Sequence, residues 1–219
     1  MSRLLFEKKE NAVWISHLDL MRVFQRAFKR AGLSLKHTQG FNPRPSVSIA
    51  LPLSVGIDSG CELLDFDIEE TNITPAEICE RLNAHLVAGV RVLEAYSAGR
   101  KIRELTYLHC NVTLEYDHGV PQGAVEAICA LFSRNSLIVP KKTKSGIQDQ
   151  DIIPMIRRIS VTQNTEHIVR LDALVCCQNP TLNPVQLSNA ILLHLPEFKF
   201  DFAGYSRLEI FDNNENIFR

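Results

Sequence analysis

Between Ser16 and Gly32 the apolar residues recur at helical spacing: Leu20, Met21, Phe24, Ala27, Phe28 and Ala31 fall on one face at 100° per residue. This predicts a helix over 17–31, opened by Ser16 and closed by Gly32 at the position where a left-handed residue ends a helix. Before it, residues 3–15 read as a strand or a broken strand pair. After it, the period changes. A long loop over 33–46 carries "TQGFNPRP", and "SVSIALPL" and "CELLDFDIEE" read as strands. In the latter, Leu64, Phe66 and Ile68 alternate with Asp65, Asp67 and Glu69, the pattern of a half-buried strand. "TPAE" opens a second helix over 75 to about 86, with Thr74 as N-cap, Pro75 at N1 and Glu77 at N3. "VRVLEAY" returns as a strand. The order β-α-β-β-α-β is that of a ferredoxin-like unit.

The second half has a similar order. "TYLHCNVTLEY" alternates, and 121–133 is striped like a helix. "SLIVPK", "RRISVT" and "HIVRLDALVC" carry strand signals, Asn183 and Pro184 open a fourth helix, and "YSRLEIF" ends the set. The polar stretch "KKTKSGIQDQD" reads as a mobile inserted loop. The predicted architecture is α+β: two ferredoxin-like (βαββαβ) units in tandem, over 1–100 and 101–219. The second corresponds to the first only in element order.

Composition narrows the class. With 45% hydrophobic and 22% charged residues among 219, an ordinary core can form. No apolar run approaches a membrane span, and "MSRLLFEKKEN" lacks the apolar stretch of a signal peptide, so a cytoplasmic location is expected. The six cysteines (61, 79, 110, 129, 176 and 177) show no C-x-x-C spacing and read as reduced, structural thiols, with Cys79 and Cys129 at apolar helical positions.

The net charge of −1 conceals an imbalance. From Leu20 to Ile57 there are six Lys or Arg and no acid; from Glu62 to Glu80 there are seven acids and no base. Arg22, Arg26, Lys29 and Arg30 share the polar face of the first helix, and Lys36, His37 and Arg44 add the same sign from the loop. Such a stripe is either a solvated surface or a receptor for phosphate or an acidic protein.

Ser16-His17-Asp19 invites a catalytic reading, but S-x-x-D ahead of an apolar helical run is a capping box. Adjacent residues in one helical turn do not converge as a triad must. His17 reads as a structural histidine. Its competing role, with His37 as second member, is a general base or an RNA-contacting imidazole. In "GFNPRP", Gly40 frees the backbone while Pro43 and Pro45 stiffen it. Phe41, Asn42 and Arg44 either hold an unpaired base by stacking and hydrogen bonding, or serve structure, Phe41 plugging the core and Asn42 making a turn. Lys141, Lys142 and Lys144 form a second basic group in the inserted loop. There is no P-loop, G-x-G-x-x-G, H-E-x-x-H or G-x-S-x-G, and no metal site is expected.

Through "ISHLDLMRVFQRAFKRAGLSL", "GFNPRPSVSIALPLSVGIDSGCELLDFDI" and, more weakly, "DIIPMI", the chain resembles the radical-SAM-linked, or radical-SAM-associated, bacterial proteins of unknown function. That family occurs fused to radical SAM proteins or as separate chains of this size, and this chain is similar to the separate form. The resemblance implies a radical SAM protein as partner, often one with a cobalamin-binding-type region. The cysteines here lack the C-x-x-x-C-x-x-C spacing of a radical SAM cluster, so no cofactor is expected in this chain. The expected role is a non-catalytic accessory that binds RNA or presents substrate to that partner. The paired ferredoxin-like order is also similar to RAMP-type RNA-processing proteins, which gives a rival: a metal-independent endoribonuclease using His17 or His37. A third possibility is a protein-interaction subunit alone.

Overall fold

The computed structural model describes residues 1–143 and 146–219. The chain divides into two compact units, Met1–Ile102 with Arg219, and Arg103–Phe218.

In the first unit, β1 (Ser2–Lys8), α1 (His17–Arg30), β2 (Val47–Ile49), β3 (Ile57–Phe66), α2 (Pro75–Asn83) and β4 (Val90–Ser97) follow in that order. The strands lie side by side as β4-β1-β3-β2, every neighbour antiparallel. Residues Glu10–Trp14, expected as strand, form a single 3-10 turn instead. A close backbone approach requires it. Lys9 donates its N–H to the Gly89 carbonyl at 2.7 Å, and Gly89 sits at φ 82°.

The apolar stripe of α1 packs as its spacing predicts. Leu20, Phe24, Ala27 and Phe28 are fully buried. The Phe24 ring meets Phe6 of β1 edge-on at 4.7 Å, and Phe28 lies 5.0 Å from Phe66 of β3. Each buried phenylalanine contributes on the order of 1.5–3 kcal/mol from apolar area alone. α2 begins as read: the Thr74 hydroxyl accepts the Glu77 N–H at 3.2 Å and Pro75 occupies the first turn. The helix ends at Asn83, earlier than its pattern suggests, because the Asn83 amide turns to bond both backbone groups of Val92 on β4.

β3 departs from the half-buried expectation. Its residues from Cys61 to Phe66 are all buried, Asp65 included. Alternating acids predicted a wet face, but Asp65 is neutralised inside by Arg3.

In the second unit, β5 (Tyr107–Glu115), α3 (Ala124–Phe132), β8 (Ile156–Thr165), β9 (Ile168–Cys176), α4 (Val185–His194) and β10 (Phe202–Phe211) build a sheet in the order β10-β5-β9-β8, again antiparallel throughout. Between α3 and β8 a separate hairpin forms from β6 (Ile138–Thr143) and β7 (Gly146–Asp151). Most of the stretch expected as an inserted loop is therefore paired backbone. "SLIVPK", read as a strand, supplies the first strand of this hairpin. The second strand, β7, has mostly exposed polar side chains and no alternating apolar signature, so polarity alone hides it. Lys144 lies outside the described residues. α4 starts one residue later than expected, with Pro184 at the N-cap position and the Asn183 side chain accepting the Val185 N–H at 3.1 Å just before it.

The chain is thus a mixed α+β protein with four α-helices among the described residues and a mostly antiparallel sheet. None of those helices is long and apolar enough to cross a membrane. The six cysteines are free; Cys129 is exposed on α3 rather than packed as a small hydrophobe. Burial pushes the Cys110 thiol up to about 12.

Candidate functional site

The start of α1 shows what Ser16 and Asp19 do. The Ser16 hydroxyl accepts the Asp19 N–H at 3.2 Å and donates to the Asp19 carboxylate at 2.7 Å. Asp19 also takes a hydrogen bond from Arg22 at 2.7 Å. The Ser16 hydroxyl first, then Arg22, hold its carboxyl below the usual carboxylate range. The residues that suggested a triad are occupied in capping.

The far end of α1 positions the loop. Gly32, at φ 68°, closes the helix; its N–H reaches the Lys29 carbonyl, and the Leu33 N–H reaches that of Phe28 at 2.9 Å. This drives Leu33 into the core and sends the chain outward. The Ser34 N–H is held by the Glu70 carboxylate at 3.0 Å, and the Lys36 N–H by the Asp67 carbonyl at 2.9 Å. The loop then rises as a narrow stalk. The Ser46 N–H donates to the Lys36 carbonyl, the Thr38 N–H to the Arg44 carbonyl at 2.8 Å, and the Arg44 N–H to the Thr38 hydroxyl at 3.1 Å. At its tip Phe41 is fully exposed, which rules out the core-plug reading, and Asn42 is exposed beside it.

α1 and the stalk bracket two adjoining clefts that share Gln25 and Pro45. The larger, about 490 Å³, is lined by Lys29, Leu33, His37 and Glu69 besides those two. The smaller, about 370 Å³, is lined by Leu18, Met21, Arg22 and Arg44. On α1, Leu18, Met21, Arg22, Gln25 and Lys29 form one stripe at i, i+3, i+4, i+7 and i+11. Arg26 and Arg30 are exposed but line neither cleft, so the four cations of the helix divide into two pairs.

The acidic stretch after residue 60 does not neutralise this face. Glu62 is buried and accepts from Ser59, Asp65 is bound by Arg3, Asp67 by the N-terminal amine at 2.8 Å, and Glu70 by the Ser34 N–H. Among the described residues, Arg26, Lys29, Arg30, Lys36 and Arg44 form no ion pair, and Arg22 pairs only with Asp19. The two histidines part company. His37 lines the larger cleft, whereas His17 lines neither and its Nδ1 is buried without a hydrogen-bond partner. Lys141 and Lys142 stand on the hairpin of the second unit, Lys141 reaching the Thr181 carbonyl at 3.4 Å. No three His, Cys, Asp or Glu side chains among the described residues are grouped to hold a metal ion.

A profile of the family described as "Uncharacterized protein conserved in bacteria (DUF2344)" matches residues 2–184. The chain belongs to this family. The match takes in α1, the stalk, both clefts and the hairpin of this DUF2344 chain. No curated protein matches it. A crystal structure of an unknown protein from Galdieria sulphuraria is similar at 13% identity, covering 94% of this chain and 96% of the other, with a TM-score of 0.26.

Sequence reasoning placed the cations and the stalk of this DUF2344 chain but passed over Gln25 and Glu69. Gln25 was legible, sitting three residues after Arg22 and four before Lys29 on the polar face. Glu69 was not, because only the pairing of the loop start with the end of β3 brings it to the cleft: Glu69 donates its N–H to the Ser34 carbonyl at 2.9 Å.

Proposed function

We propose that this chain is a non-catalytic accessory protein that holds single-stranded RNA on its first unit, serving a radical SAM partner enzyme in the cytoplasm and carrying no cofactor of its own. The observation that carries the reading is the set of cations around the two clefts, Lys29 and Arg44 without an ion pair and Arg22 held only by Asp19, together with a fully exposed aromatic on the clamped stalk. Free guanidinium and ammonium groups attract phosphates and release their counterions, while a rigidly presented ring offers a stacking platform to any base. The radical SAM partner is what the family resemblance implies. The strand orders β4-β1-β3-β2 and β10-β5-β9-β8 support reading each unit as ferredoxin-like, the second interrupted by its hairpin, in the manner of RAMP-type proteins. The endoribonuclease alternative would fall to His37, since His17 lines neither cleft.

The test is charge reversal. With Arg22, Arg26 and Arg30 all changed to Glu, RNA retention on a filter at low salt is lost while the melting temperature stays within a few degrees of wild type. Retention unchanged by the triple substitution overturns the proposal. If the wild-type chain retains no RNA but co-purifies with its partner after nuclease treatment, and reversal breaks that association, the same face docks an acidic protein instead.

A further inference from the structure

A polyanion site has no use for a free carboxylate, yet Glu69 lines the larger cleft with Lys29. These opposite charges do not meet as an ion pair. Nor is Glu69 neutralised from its other side. There it borders a depression that also holds Arg81, but the Arg81 guanidinium is bound to Glu77 at 2.8 Å. The cleft therefore presents an acceptor and a donor of full charge, apart, across a space of about 490 Å³. Apolar Leu35 and Pro45 contribute to the lining, suited to the faces of a ring. The smaller cleft differs. It is lined by two guanidinium groups, Arg44 without an ion pair and Arg22 with Asp19 as its one partner at 2.7 Å, and by no acid, a composition suited to phosphate.

Resting on the RNA-binding reading above, we infer that the larger cleft is a guanine pocket, in which Glu69 selects the base while Arg22 and Arg44 hold the adjoining phosphate. Guanine has two acceptors, O6 and N7, on one edge and two donors, N1–H and the N2 amino group, on the next. A lysine suits the former and a carboxylate the latter. Adenine and cytosine offer a carboxylate a single amino group without the neighbouring ring N–H, and uracil offers one ring N–H between two carbonyls that a carboxylate repels. Gln25 and Pro45, shared by both clefts, place the base and its phosphate in adjoining volumes.

The experiment is fluorescence anisotropy of the full chain with eight-nucleotide oligouridine and with the same strand carrying one central G, A or C. Wild type favours the G strand over the other three by roughly tenfold. Glu69→Gln removes that preference and binds oligouridine at least as tightly as wild type, since a repelling charge is gone. Lys29→Met weakens the G strand more than oligouridine. Equal affinity for all four strands in wild type overturns the pocket while leaving RNA binding standing. Failure to bind any strand overturns both readings, and a G preference that survives Glu69→Gln overturns the role of Glu69.

Discussion

Arg3 and Asp65 face each other in register across β1 and β3, with Arg3 Nε 2.6 Å and its second nitrogen 3.1 Å from the two carboxylate oxygens. Arg3 is 1% exposed and also donates to the Arg100 carbonyl at 2.9 Å, which ties the end of the first unit's sheet to the chain after β4. Removing one partner strands a buried charge. Arg3→Met therefore costs about 3–5 kcal/mol of unfolding free energy, read from denaturant melts. Arg3→Met with Asp65→Leu recovers most of the loss. A double variant no better than the single one would show that the pair contributes through packing rather than charge.

The helix cap carries a pH signature. The Asp19 pKa is lowered by the Ser16 hydroxyl and then by Arg22, so the folded state binds the Asp19 proton less readily than the unfolded state. This contribution is complete above the unfolded carboxylate's titration and disappears as pH falls through the folded value, below the usual carboxylate range. In Ser16→Ala the Asp19 midpoint, followed by NMR, rises toward the ordinary value. The helix also loses about 1 kcal/mol of capping at neutral pH.

Gly89 is fixed by backbone geometry. A Cβ there would stand 2.4 Å from the Lys9 carbonyl oxygen and 2.9 Å from the Ala12 methyl, at φ 82°. Gly89→Ala must displace the 3-10 turn of 10–14 or break the Lys9 N–H bond. The expected loss is about 1–3 kcal/mol, measured by thermal unfolding. Gly99→Ala, where no atom lies within 4 Å of the added methyl, is the control and leaves the midpoint unchanged.

Phe41 separates folding from binding. Being fully exposed, it adds nothing to the core, and Phe41→Ala leaves the melting temperature in place. On the RNA-binding reading, affinity for single strands falls by about 1–3 kcal/mol, the loss of one stacking contact. A melting temperature lowered by several degrees would instead mean that the stalk folds back onto the unit.

Local patterns in the chain were sufficient for the helices, the caps at Ser16 and Thr74, the Gly32 stop, the basic stripe and the proline-framed stalk, because each arises from residues within a few positions of one another. The 10–14 turn, the β6–β7 hairpin and the burial of Asp65 were decided by partners far along the chain: Gly89, residues 146–151 and Arg3. A strand whose exposed side chains are polar has no periodic mark, and a charge alternating with leucines looks solvated until its counter-ion is known. The clefts belong to the same class. Arg22, Lys29, Arg44 and Glu69 were all visible in the sequence, but the two adjoining clefts they line exist only because the strand ends and the helix stop set the loop against α1.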